Sequence, residues 1–190
     1  MSTAGPVETQ FGDGHRNSAA TCGNSVPVTE LLVLALGNTL LRDDGVGVAI
    51  LHALEREAAQ WGGEVEFVDG GTQGLALLGV LTGRRAAVIL DAVALGAPPG
   101  TVHVLSAGDA GRLRSRRSTT AHEGNAGELL AAARLLGDLP ERTIIVGIEP
   151  EEVRTGVGLS DAVARSVPEA AGCARRVLEG RWTYVPGHTE

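Results

Sequence analysis

Acidic and polar residues follow apolar runs at several points in this chain, and their types suit metal or acid–base chemistry. Gly37-Asn38 and Arg42-Asp43-Asp44-Gly45 come after the run Leu31-Leu32-Val33-Leu34-Ala35-Leu36. Asp69-Gly70-Gly71-Thr72-Gln73 follows Val65-Glu66-Phe67-Val68, and Asp91 follows Ala86-Ala87-Val88-Ile89-Leu90. His122 stands in a polar stretch before a helical segment that begins near Gly124. Two carboxylates and an imidazole brought to one place suit a borderline divalent metal, with water completing the shell. Each residue also has a plainer reading. Asp43 and Asp44 at a helix start favour the macrodipole, Asp91 is a solvated loop carboxylate, and His122 is a surface histidine. His52 on a helix face, His103 in a short strand, and His15 and His188 near the ends are assigned no site role.

Other chemistries fit poorly. No Gly-x-Ser-x-Gly elbow and no P-loop occur. His122-Glu123 begins like a zincin motif, but position 126 is Ala where the second His belongs. Ala35-Leu36-Gly37 lacks the rest of a dinucleotide-binding glycine pattern, and Asp43 and Asp44 would set negative charge beside a pyrophosphate. Cys22 and Cys173 have no paired motif, so a disulfide framework is not expected and a reducing cytoplasm fits.

The elements that must position these groups alternate. A continuous apolar run such as 31–36 is expected of a strand buried on both faces. Val46, Ile50, Ala53, Leu54, Ala58 and Trp61 then recur at helical spacing. A second strand covers Val65 and Phe67-Val68, and Leu75, Leu78 and Leu81 suggest a short helix. A third strand ends at Asp91, Pro98-Pro99-Gly100 turns the chain, and a short strand covers about 101–105. A helix over about 128–136 stops near Gly137, and a strand covers 143–148. Ser160 is read as the cap of a last helix, kinked or restarted at Pro168 and ending near Gly180. This alternation predicts a single α/β domain with a mainly parallel, twisted sheet and helices on both faces. In such sheets ligands bind outside the carboxyl ends of the strands, so the topology carries the acidic loops to one edge.

The length of 190 residues suits one domain. Residues 1–28 are rich in Gly, Ser, Thr and Asn and read as a disordered tail, as do residues 185–190, leaving a domain over 29–184. The net charge of −7 argues against nucleic acid as a partner. No secretory signal and no apolar stretch long enough for a membrane span are visible. Arg112, Arg114, Arg116 and Arg117 cluster upstream of His122, either as a solvated loop or as a rim that steers carboxylates on a partner.

Leu36-Gly37-Asn38-Thr39-Leu40-Leu41-Arg42-Asp43-Asp44-Gly45-Val46-Gly47 resembles the opening motif of the hydrogenase maturation proteases. Val68-Asp69-Gly70-Gly71-Thr72-Gln73-Gly74 is similar to that family's second signature, and Asp91-Ala92 to its third. His122-Glu123-Gly124 and Gly147-Ile148-Glu149-Pro150 extend the likeness, in consistent order, over residues 31–178. Any one motif is weak, and the ordered set is specific. Ala35, where many members carry Gly, slightly narrows the first turn and leaves the ligand positions intact.

The resemblance implies an endopeptidase that removes the C-terminal extension of the nickel-loaded hydrogenase large-subunit precursor. It implies metal ligands at Asp44, Asp91 and His122, and a substrate-contacting loop at Asp69, Gly70, Gly71, Thr72 and Gln73. It implies that nickel is a recognition element supplied by the bound substrate. The immature large subunit is then the partner, with neither nucleic acid nor membrane involved. The competing functions are a non-cleaving, nickel-sensing assembly chaperone and a nucleotide-binding α/β domain.

Overall fold

The computed structural model describes residues 29–112 and 126–180. The expected tails at 1–28 and 185–190, Cys22, His122, and Arg114, Arg116 and Arg117 lie outside the described residues.

The apolar runs form strands β1 (Leu31–Ala35), β2 (Val65–Asp69), β3 (Ala86–Ala92), β4 (Val102–Ser106) and β5 (Arg142–Ile148). Helices α1 (Val46–Glu55), α2 (Leu78–Leu81), α3 (Ala126–Leu136) and α4 (Asp161–Leu178) stand between and after them. The sheet order is β2-β1-β3-β5-β4. β1 pairs in parallel with β2 and β3, β3 pairs in parallel with β5, and β4 runs antiparallel along β5 at the edge. The predicted α/β fold with a mainly parallel sheet is therefore the fold observed.

Strand alternation sorts the core into two layers. Val33, Ala35, Val88, Leu90, Val146 and Ile148 face α1 and α4, packing on Ile50, Leu54, Val163 and Ala174. Leu32, Leu34, Ala87, Ile89 and Ile145 face the other way, onto Leu77, Leu81, Leu129 and Leu130 of the α2 and α3 layer. Each fully buried Leu or Ile contributes roughly 1.5–3 kcal/mol of transfer free energy. This explains how a chain with 3 % aromatic residues holds together on aliphatic packing.

α1 and α2 lie on opposite faces because the chain leaves β1 toward β2 on one side and returns to β3 on the other. The sheet's switch point thus falls between β1 and β3. Crevices form there, outside the strand carboxyl ends.

Three local expectations are revised. The helix expected through Trp61 stops at Glu55 and continues as a 3₁₀ turn over Ala58–Trp61, closed by Gly62 in the left-handed region. α4 runs unbroken through Pro168. A proline removes one N–H and frees the carbonyl four residues back. Here Ala164 and Pro168 both lie on the exposed face, so the freed carbonyl is on the solvent side of the helix. Ser160 occupies the N-cap position of α4 but makes no side-chain cap bond. Its hydroxyl instead donates to Asp43 across the loop.

Candidate active site

The crevice is built by three loops at the carboxyl edge of the sheet. The β1–α1 loop leaves through Gly37, whose φ of +120° only glycine adopts freely. A Cβ there would lie 1.9 Å from the Asp44 carbonyl oxygen, so the loop folds back tightly on itself. The N–H of Gly37 donates to the Gly71 carbonyl at 3.0 Å, joining this loop to the one after β2. On the other side the loop pairs with the β5–α4 connection. Leu41 and Gly156 form a parallel bridge, with Arg42 N–H donating to the Gly156 carbonyl and Gly156 N–H to that of Leu40. Arg42 sits in the left-handed region with φ 54°, a conformation costly for a side-chain-bearing residue. That bridge and an Arg42–Glu152 ion pair at 2.7 Å hold it there.

Left-handed Arg42 opens the 3₁₀ segment Arg42–Gly45, whose two adjacent carboxylates go to different destinations. Asp44 is half-buried, and its Oδ2 accepts from Asn38 N–H at 2.8 Å. Asp43 turns inward and is fully buried. Its Oδ1 accepts from Ser160 N–H at 2.6 Å. Its Oδ2 accepts from the N–H groups of Glu151 and Glu152, both at 3.0 Å, and from the Ser160 hydroxyl at 2.9 Å. Burial pushes the Asp43 carboxyl up, but the N–H donors of Glu152, Ser160 and Glu151 and the Ser160 hydroxyl outweigh it and hold the group below the ordinary carboxylate value. Asp43 is therefore a structural anchor, more than a macrodipole partner. An alanine there would leave all four donors without this acceptor.

Asp91 lies within β3, one residue before its end, and is 8 % exposed. Its Oδ1 accepts from Ala92 N–H at 2.8 Å and its Oδ2 from Ala126 N–H, the first residue of α3, at 3.3 Å. It is thus an ordered carboxylate at a helix N-terminus, where negative charge is favoured, and not a solvated loop residue. The 3₁₀ segment carrying Asp44 packs against β3, so both carboxylates stand on the two sides of the switch point. The third expected ligand, His122, lies outside the described residues. Among the described residues no three His, Cys, Asp or Glu side chains form a metal-holding group.

In the β2–α2 loop, exposed Asp69 accepts Gly71 N–H at 3.0 Å through Oδ1. The two glycines serve the fold itself. A Cβ at Gly70 would press to 2.7 Å on Leu77 and 2.9 Å on Leu34, while Gly71 has φ +50°. A valine at Gly71 would be strained whatever the loop does, so it cannot report substrate contact. Thr72 and Gln73 are exposed and free of that constraint.

A buried pair, His103 and Glu149, stands outside the residues to which the sequence assigns a site role. Glu149 follows β5 and is fully buried. Its Oε2 accepts from Leu95 N–H at 2.8 Å and from His103 Nε2 at 3.1 Å, and its Oε1 from Gly96 N–H at 3.1 Å. The signal in the sequence is Glu149 within Gly147-Ile148-Glu149-Pro150, an acidic residue directly after the apolar run 144–148. Such a carboxylate needs internal donors.

Burial raises the Glu149 carboxyl, but the N–H groups of Leu95 and Gly96 and the His103 ring outweigh it and hold it below its ordinary value. Its stabilising contribution is complete above the unfolded-state value of about 4.3 and is lost as pH falls through the lower folded-state value. Glu149→Gln is therefore expected to lower the urea midpoint near neutral pH and to flatten its decline in acid. Urea titrations across that range check it, and an acid decline as steep as wild type contradicts it.

Fold and site together define an α/β protein whose sheet switch point carries two carboxylates, Asp44 in the β1–α1 loop and Asp91 at the end of β3. Residues 48–176 match the family of hydrogenase maturation proteases, and the chain belongs to that family. The Hydrogenase 2 maturation protease of Escherichia coli K12 is 34 % identical over 141 residues, 74 % of this chain and 85 % of that protein. The hydrogenase expression/formation protein HupD of Thiocapsa roseopersicina is 36 % identical over 124 residues, and the match spans 65 % of this chain but only 56 % of that protein's length. The solved hydrogenase maturating endopeptidase HybD from E. coli superposes with TM-score 0.69 at 30 % identity, covering 80 % of this chain and 93 % of that one.

Proposed function

We propose that this chain is the endopeptidase that removes the C-terminal extension from a nickel-loaded hydrogenase large-subunit precursor. Asp44 and Asp91 at the β1/β3 switch point, in a chain of this family, carry the reading. In it, Asp44, Asp91 and His122 hold the nickel that the substrate brings. Carboxylate oxygens and an imidazole nitrogen suit a borderline divalent ion. Nickel on the precursor then acts as part of the substrate, and loading is read before the chain is cut. The rim suits a polypeptide better than a nucleotide. Leu40, Leu75 and Val157 are exposed apolar side chains on the three loops of this edge, and two acidic groups oppose a phosphate. No helix among the described residues is long and apolar enough to cross a membrane. The reading places the reaction in the cytoplasm, with the immature large subunit as partner.

The test is incubation of the purified protein with nickel-loaded and nickel-free precursor, followed by intact mass. Shortening of the loaded form alone is expected. Equal cutting of both overturns the nickel reading. A nickel-dependent complex without shortening makes the protein a non-cleaving chaperone.

A narrower expectation concerns the exposed part of the β2–α2 loop. Thr72→Ala with Gln73→Ala removes one side-chain hydrogen bond to substrate at each position, each worth about 1 kcal/mol, so KM should rise roughly thirtyfold with kcat and Tm preserved. Steady-state processing kinetics decide it, and an unchanged KM makes this loop a plain turn.

A further inference from the structure

Residues 149–160, the β5–α4 connection, touch both the turn that carries Asp44 and the segment that follows Asp91. At its start, Glu149 reaches Leu95 and Gly96, just beyond the end of β3, where Asp91 stands. The backbone repeats this link, with Glu149 N–H donating to Thr101 and Gly100 N–H donating to Glu149, both at 2.8 Å. Further along, Glu151, Glu152 and Ser160 supply all four donors to Asp43, the residue next to Asp44. The Arg42–Glu152 ion pair and the Leu41–Gly156 bridge tie the same turn to the same connection.

We propose that this connection is a spacing frame for the Asp44 and Asp91 carboxylates, with Asp43 and Glu149 as its two positioning residues. The inference rests on the reading of Asp44 and Asp91 as the pair that meets the substrate's metal. The two buried carboxylates are placed symmetrically for the task. Asp43 projects from the Asp44 turn into the connection, and Glu149 projects from the connection into the segment after Asp91. Each satisfies otherwise stranded backbone N–H groups on the opposite partner, so neither loop can shift without breaking charge-assisted bonds. Direct contact between Asp44 and Asp91 is then unnecessary, because a third segment fixes both.

Asparagine at position 43 and glutamine at 149 keep the shape and break the frame. Either amide turns an NH₂ toward a backbone N–H: at 43, that of Ser160 or those of Glu151 and Glu152; at 149, that of Gly96 or Leu95. Ser160→Ala is the graded case, removing one of the four bonds to Asp43. Ala170→Gly, in the buried face of α4 away from these loops, lowers stability without touching the frame.

The experiment measures processing of nickel-loaded precursor and amide hydrogen exchange by the full chain, at a temperature where all variants remain folded. Asp43→Asn and Glu149→Gln are expected to lower kcat about a hundredfold, as a misplaced reacting group does, with KM nearly unchanged. Ser160→Ala should fall between them and wild type, and Ala170→Gly should keep the wild-type kcat. Exchange should quicken in residues 38–45 for Asp43→Asn and in residues 92–100 for Glu149→Gln, but in neither segment selectively for Ala170→Gly. Wild-type kcat in either folded frame variant overturns the inference. So does slow exchange in its segment, or an equal kcat loss in Ala170→Gly. Failure of the wild-type protein to shorten the precursor overturns the functional reading instead, and the exchange pattern then judges the frame by itself.

Discussion

Gly47→Val is expected to leave almost no folded protein, and Gly47→Ala to lose a large part of its stability. Gly47 lies in the first turn of α1, where the helix crosses the ends of β1 and β3. A Cβ there would stand 2.4 Å from the Leu36 carbonyl oxygen and 2.5 Å from that of Leu90. Both obstacles are backbone, and Leu36 N–H donates to that same Leu90 carbonyl at 2.8 Å. Neither can yield as a flexible side chain would. α1 must therefore lift off the sheet, opening contacts of Ile50 and Leu54 with the core. Overpacking costs about 1–3 kcal/mol, and more against a rigid wall. The helix-propensity gain from Gly to Ala returns only about 1 kcal/mol. Against a total stability of about 5–15 kcal/mol, the alanine is expected to cost about 2–3 kcal/mol and the valine, with two further methyls, most of what remains. Urea unfolding measures the first and soluble yield the second. A Gly47→Ala protein within about 0.5 kcal/mol of wild type would mean that the helix sits farther from the strands than described.

Much of this fold was legible because its signals are local. Leu31–Ala35, residues 86–90 and residues 144–148 are apolar on both faces, and only a strand covered on both sides supports that pattern. Asp44 and Asp91 were legible as loop-end carboxylates because strand order alone sends such residues to one edge. The tertiary destination of each side chain was not. Asp43 and Asp44 are chemically identical neighbours. Which one turns inward depends on the left-handed Arg42 and on donors more than a hundred residues away at Glu151, Glu152 and Ser160. Ser160 looked like a helix cap because local spacing cannot reveal a distant carboxylate competing for its hydroxyl. His103 was passed over for the same reason, since its partner Glu149 lies 46 residues on, in the neighbouring strand's continuation. The glycines of the β2–α2 loop are likewise explained only by the fold: Gly70 is crowded by this chain's own Leu34 and Leu77, and Gly71 has φ +50°.

Those destinations determine which substitution can test the chemistry. Asp44→Asn is expected to reduce processing of the nickel-loaded precursor at least about a hundredfold while shifting Tm little. Asp91 is a less clean probe, because its carboxylate also receives the first N–H of α3, and a change there disturbs the helix entrance as well as the site. Asp43 is worse, since it is fully buried and accepts from four donors. Asp44 is half-buried beside the crevice, and an asparagine can still offer a carbonyl oxygen to the Asn38 N–H. What the substitution removes is the negative charge, which the proposed function requires to meet the substrate's nickel. An amide oxygen is a much weaker ligand for a divalent cation than a carboxylate. The comparison is therefore Asp44→Asn against wild type, each with nickel-loaded precursor, scored by intact mass over time and accompanied by thermal unfolding. Lost processing in a protein that melts as wild type does assigns Asp44 to the reaction and not to the fold. Processing at the wild-type rate would remove Asp44 from the site and make it a residue of the fold, one that helps close the turn at Asn38.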